Sequence, residues 1–122
     1  MRIILACGVF DMLHVAHLRH LQEARKMGGC LVVGVTADAH VNKPGRPIIP
    51  QDERREMLLA LRCVDEVMIC KDSLDALEHW GPDIFVKGHD YVAKQLLPTE
   101  IYYCKQNNIA IRFTKPNPQT TS

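Results

Sequence analysis

Apolar residues fall in five short runs, and amphipathic stretches separate them. "RIILACGVF" (Arg2 to Phe10) is continuously apolar, the pattern of a strand buried on both faces. "CLVVGVT" (Cys30 to Thr36), "DEVMIC" (Asp65 to Cys70), "DIFVKG" (Asp83 to Gly88) and "IAIRF" (Ile109 to Phe113) repeat it. Between the first two runs, Val15, Leu18, Leu21 and Ala24 recur at helical spacing over His14 to Met27, and Gly28-Gly29 stops the helix. A second helix is expected after Asp52 as its cap, with Met57, Leu58 and Leu61 facing inward. A third is expected from a Ser73 cap to Trp80-Gly81, and a fourth over "PTEIYYCKQNN", with Pro98 in its first turn. Strands alternating with helices predict one α/β domain over residues 1–122. Its core is an open parallel five-stranded sheet with helices on both faces. Ligands of such sheets bind beyond the carboxyl ends of the strands, where the strand order reverses. "ADAHVNKPGRPIIP" after the second strand, with three prolines and a glycine, is one of the loops at that edge.

Composition narrows the partners. The net charge of +1 gives no broad electrostatic grip on nucleic acid, and no apolar stretch reaches the ~20 residues that span a membrane. The first apolar run stops at Asp11 without a small-residue cleavage site, so it reads as a strand and not as a signal peptide. Cys7, Cys30, Cys63, Cys70 and Cys104 are odd in number and irregular in spacing, with no C-x-x-C pair. Reduced, mostly buried thiols in the cytoplasm are the expectation.

The chemistry concentrates in "GVFDMLHVAHLRHL", where His14, His17 and His20 follow one another at intervals of three. A helix N-terminus offers free N–H groups and partial positive charge, which suit an anion. Residues three apart share a helix face, so His14 and His17 can reach one phosphate together as hydrogen-bond donors. Packing is the plain alternative, and it is the expectation for His20, one turn deeper. Metal ligation is the third, although the better-known helical spacing is i,i+4 and no converging ligand set is evident.

"GVFDMLHVAHLRHL" resembles the H-x-G-H signature of the nucleotidyltransferase superfamily, the cytidylyltransferases and adenylyltransferases related to class I aminoacyl-tRNA synthetases. "GCLVVGVTAD" resembles that family's second strand, and "VNKPGRPIIPQDERREMLLALRCVDEV" its lysine-bearing loop and following helix. "DIFVKGHDY" resembles the V-K-G-x-D-Y segment of sugar-phosphate adenylyltransferases, above all the adenylyltransferase domain of ADP-heptose synthase. The four motifs run in order over most of the chain. They imply a Rossmann-like fold and transfer of a nucleoside monophosphate from an NTP to a phosphorylated sugar or polyol, with release of pyrophosphate.

The resemblance assigns roles by position. His14, His17, Lys43 and Arg54 would be catalytic, with Arg54 on the leaving pyrophosphate and Arg46 a lesser candidate beside Lys43. Val9, Phe10, Ala16, Gly88, Asp90, Tyr91, Thr120 and Thr121 would line the nucleotide. Asp11 and Lys87 would meet the acceptor, with loop capping the alternative for Asp11. Mg²⁺ would arrive on the nucleotide phosphates, with no dedicated protein site. Ala16 replaces the central glycine of H-x-G-H, which adds a methyl where the nucleotide passes. The family's C-terminal Ser/Thr-rich turn opens a last helix; "KPNPQTTS" offers that turn and the sequence ends there, so that helix is expected to be either missing or truncated. "GVFD", "VNK…GRP" and "VKGHDY" lean to ATP. Glycerol-3-phosphate cytidylyltransferase, which uses CTP, is the alternative, and a degenerate nucleotide-binding module is the non-enzymatic one. Pairing among small relatives implies a homodimer.

Overall fold

The computed structural model describes residues 1–88 and 96–115. The strands are β1 (Ile3–Gly8), β2 (Cys30–Thr36), β3 (Glu66–Cys70), β4 (Ile84–Lys87) and β5 (Ala110–Phe113). All are parallel, in the order β3-β2-β1-β4-β5. The helices are α1 (Val15–Arg25), α2 (Gln51–Leu59), α3 (Ser73–Trp80) and α4 (Pro98–Gln106), with a single helical turn at Asp38–His40. The chain is thus the expected α/β protein, a Rossmann-like open parallel sheet.

Side-chain alternation along the strands explains the two layers. Ile4, Ala6, Val33, Val35 and Val86 face Leu21 and Ala24 of α1 and Leu58 of α2. Leu5, Val32 and Phe85 face Ala76 and Leu77 of α3 and Cys104 of α4. From β1 the chain moves to β2 through α1 on one face; from β4 it moves to β5 through α4 on the other. The winding reverses between β1 and β4, and the carboxyl ends of these two strands are where open parallel sheets bind ligands.

Local chemistry moves several boundaries. β1 ends at Gly8, not Phe10, because Phe10 takes a positive φ of 52° and turns the chain out of the sheet. Asp52 is not the cap of α2. The helix begins at Gln51 behind Pro50, and Asp52 lies in its first turn, where a carboxylate favours the helix dipole. Met57 does not face inward: it is 55% exposed, while Leu58 is buried and Leu61 packs at the edge of the core. Val15 is exposed as well, at the open start of α1. Ser73 is the first helical residue of α3, and the Asp72 carboxylate caps it by accepting from the Asp75 N–H at 2.9 Å. The Ser73 hydroxyl donates instead to Glu100.

Leu21 is the larger of two fully buried residues, with Ala24, that hold α1 to the sheet. Leu21→Ala is expected to cost about 2–5 kcal/mol through lost burial and an unfilled cavity. Urea unfolding should show a lower midpoint at unchanged slope.

Candidate active site

His14 is the N-cap of α1, with extended backbone (φ −140°, ψ −177°). Its Nδ1 accepts the Ala16 N–H at 3.1 Å, and its own N–H donates to His17 Nδ1 at 3.2 Å. The two imidazoles therefore close a reciprocal cap of the kind usually built from Ser and Glu. An accepting Nδ1 carries no hydrogen, so each ring holds its proton on Nε2. Two Nε2–H donors thus stand side by side at the mouth of α1, with ring centroids 4.2 Å apart. Burial, and then the neighbouring His14, push the pKa of His17 below the usual histidine value, which favours that neutral form.

The loop before the cap is tightly built. Phe10 and Met12 both have positive φ. The Phe10 ring lies over Gly8, where an added Cβ would come within 3.0 Å of it, and meets His17 edge-on at 5.6 Å. Val9 contributes its carbonyl inward, to Arg54.

Arg54 is buried under this loop. Its Nε donates to the Ile49 carbonyl at 2.9 Å, and Nη1 to the carbonyls of Val9 (2.7 Å) and Thr36 (2.8 Å). Nη2 pairs with Asp38 at 2.6 Å. The guanidinium therefore ties together the ends of β1 and β2 and the entrance of α2. It is not a surface charge: the side chain is 1% exposed.

Asp11 turns to the lysine-bearing loop. Its carboxylate accepts the N–H groups of Ile48 and Ile49, each at 2.9 Å, and pairs with Arg46 at 3.0 Å. The Ile48 amide above all, with Ile49 and Arg46 adding to it, lowers the Asp11 pKa to about 2. The loop-capping role is the one its geometry has. Because the folded pKa lies below the unfolded one, the clasp is intact above about pH 4 and is lost as pH falls toward 2. Lys43 remains exposed, in a turn closed by the Arg46 N–H on its carbonyl at 3.1 Å.

Lys87 is the last residue of β4. Its Nζ lies 4.9 Å above the Phe85 ring and 3.3 Å from buried Glu100 of α4, in the α3/α4 layer. Gly88 follows at the strand's end, half-buried. Ala16 is half-buried, and its N–H is taken by His14. Asp90, Tyr91, Thr120 and Thr121 lie outside the described residues. Asp38, Glu100 and Thr114 were not singled out by sequence. Asp38 alone left a trace, a carboxylate just past β2 in a loop already marked by its prolines.

The model of the family described as "Cytidylyltransferase-like" matches residues 5–117. The chain belongs to that family. It is 36% identical to the bifunctional protein HldE of Citrifermentans bemidjiense over 115 residues, 90% of this chain and 24% of that protein. The chain spans only about a fifth to a quarter of the HldE proteins it matches. It is 38% identical to the FAD synthase of Methanohalophilus mahii, over 96% of this chain and 84% of that one. The crystal structure of a lipopolysaccharide core biosynthesis protein from Thermoplasma volcanium superposes with a TM-score of 0.81 at 28% identity, covering 96% of this chain and 98% of that one. The fold and the family expected from the motifs are both found. No helix among the described residues is long and apolar enough to cross a membrane.

Arg54→Lys should lower stability by about 2–4 kcal/mol in chemical denaturation, because an ammonium cannot serve carbonyls from three segments at once. Unchanged stability with weakened nucleotide binding would return Arg54 to the phosphate. In Asp11→Ala, hydrogen exchange at the Ile48 and Ile49 amides should accelerate at least about tenfold, with Leu5 unaffected.

Proposed function

We propose that this domain transfers a nucleoside monophosphate, preferentially from ATP, to a phosphorylated sugar or polyol and releases pyrophosphate. The reciprocal His14–His17 cap carries this reading. It stands at the start of α1, directly after β1, and commits both Nδ1 atoms to the backbone, which leaves the two Nε2–H groups of neighbouring rings as donors. A phosphate there would also meet the partial positive charge of α1.

In this scheme an acceptor phosphate oxygen attacks the α-phosphorus of the NTP. The new O–P bond forms as the bond to the β-phosphate oxygen breaks, and pyrophosphate leaves. His14 and His17 donate to the α- and β-phosphate oxygens as negative charge builds there. Lys43 supplies a mobile positive charge from its exposed loop. Asp11 and Arg54 act through position. Asp11 holds the Lys43 loop against the β1 loop, and Arg54 holds the β1 loop on α2. Mg²⁺ would be bound by phosphate oxygens and water, since Asp11 and Asp38 at this edge are already paired with arginines. It would neutralise charge on the leaving pyrophosphate.

The acceptor has a second candidate. The FAD synthase relative is matched over most of its length. FMN is itself a polyol phosphate, with a flavin attached, and adenylyl transfer to it follows the same scheme. The test is pyrophosphate release with ATP or CTP against sugar phosphates, glycerol 3-phosphate and FMN, with and without Mg²⁺. ATP should exceed CTP in kcat/KM on the accepted acceptor. A CTP advantage of about tenfold, ~1.4 kcal/mol, would make the domain a cytidylyltransferase. Nucleotide binding without turnover on any acceptor would make it a binding module.

His14→Ala and His17→Ala should each lower kcat by about 10²–10³ while nucleotide affinity changes much less. Turnover should also fall on the acid side as Nδ1 of His17 gains a proton, because that proton breaks the cap. The fall should begin below the ordinary histidine pKa. Near-normal kcat in both variants would contradict the phosphate role.

A further inference from the structure

The third histidine of the opening stretch has no part in that scheme, yet it is firmly placed. His20 lies on α1 three residues past His17, on the same face of the helix. Its Nδ1 is 2.7 Å from the Thr114 hydroxyl, a hydrogen bond spanning 94 residues of sequence. Thr114 is buried and immediately follows β5. Its N–H donates to the Lys87 carbonyl at 3.0 Å, which adds one more rung to the β4–β5 ladder past the Lys87–Phe113 pair. The hydroxyl that holds His20 is therefore set on the sheet itself.

The neighbours of this bond explain its direction. Around it α1 is attached to the sheet by Leu21 and Ala24, and apolar contacts of that kind let a helix slide or rotate by fractions of an ångström. A hydrogen bond with one short, directed geometry does not. Burial, with His17 nearby, draws the His20 pKa down to about 4, so the ring stays neutral and compatible with the hydroxyl at neutral pH. A buried hydroxyl and a half-buried imidazole in this layer would each be costly without a partner, and they are matched to each other.

We propose that His20 is a positioning residue for nucleotidyl transfer: by hydrogen bonding to Thr114 it fixes the rotation and depth of α1 on the sheet, and so the place of the His17 Nε2–H. The inference rests on the phosphate role of His17 given above. A donor displaced by part of an ångström still binds substrate but stabilises the transition state less well. The loss belongs in kcat and must pass through His17.

The experiment measures pyrophosphate release by the full chain, with ATP and whichever of sugar phosphate, glycerol 3-phosphate or FMN it accepts. The variants are His20→Ala, Thr114→Val, Thr114→Ser and the double variant His17→Ala/His20→Ala, with thermal unfolding of each. His20→Ala and the near-isosteric Thr114→Val should each lower kcat about tenfold, with the KM for ATP within about threefold. Thr114→Ser, which keeps the hydroxyl, should recover most of the loss. In the His17→Ala background His20→Ala should cause no further fall in kcat. Lower melting temperatures with unchanged kcat, or a full tenfold loss added on top of His17→Ala, would overturn the proposal. A wild-type chain that turns over while Thr114→Val equals it overturns this inference alone. A wild-type chain that releases no pyrophosphate with any acceptor overturns the reaction and the inference together.

Discussion

Two backbone N–H groups at the start of α1 are satisfied by imidazole nitrogens. The amides of His14 and Ala16 donate to the Nδ1 atoms of His17 and His14. The first turn of a helix leaves such donors without intrahelical partners, and here the residues that cap them are the ones proposed to meet the phosphates. Capping the helix and setting both tautomers are therefore one event. The chain needs no acidic side chain in the first turn of α1, and it has none. That leaves the helix end positive, as an anion site requires.

Around this point two further polar clusters hold segments that are distant in sequence. Arg54 gathers Val9, Thr36, Asp38 and Ile49, while Asp11 gathers Arg46, Ile48 and Ile49. Both join the loop after β1 to the loop after β2. A crevice at the carboxyl edge of a parallel sheet consists of loops, and loops lack the ladder that keeps strands in register. Here charged side chains bonded to backbone take the place of that ladder. Ile49 belongs to both clusters, with its N–H on Asp11 and its carbonyl on Arg54, so the two cannot move separately.

Much of this was legible in the sequence, and its limits have physical causes. The five apolar runs are strands because a parallel sheet buries both faces, and a run such as "CLVVGVT" has no other economical place. The helix starting at the histidines was legible from spacing alone. Phe10 was misplaced because an apolar residue gives no sign of a positive φ, and Met57 because adjacent apolar residues on a short helix point to different faces. Arg54 and Asp11 were marked as important by resemblance, and loop capping was open for Asp11, but the backbone partners of neither could be read. Their bonds go largely to backbone groups 5 to 45 residues away, and backbone groups leave no signature in side-chain identity. His20 was expected to pack. It does, but its partner Thr114 lies beyond β5 and no local pattern connects them.

The central claim is that His14 and His17 present Nε2–H to a nucleotide phosphate because their Nδ1 atoms are committed to the backbone. Nitrogen-15 NMR of the imidazole rings reads this directly, in the free protein and with ATP added. The account predicts the Nε2–H tautomer for both rings before ATP is added, with Nδ1 unprotonated. On addition of ATP the Nε2–H proton resonances of both should move downfield as they donate to phosphate, while the Nδ1 signals stay near their free values. An Nδ1–H tautomer in either ring, or Nε2–H resonances indifferent to bound nucleotide, would contradict it.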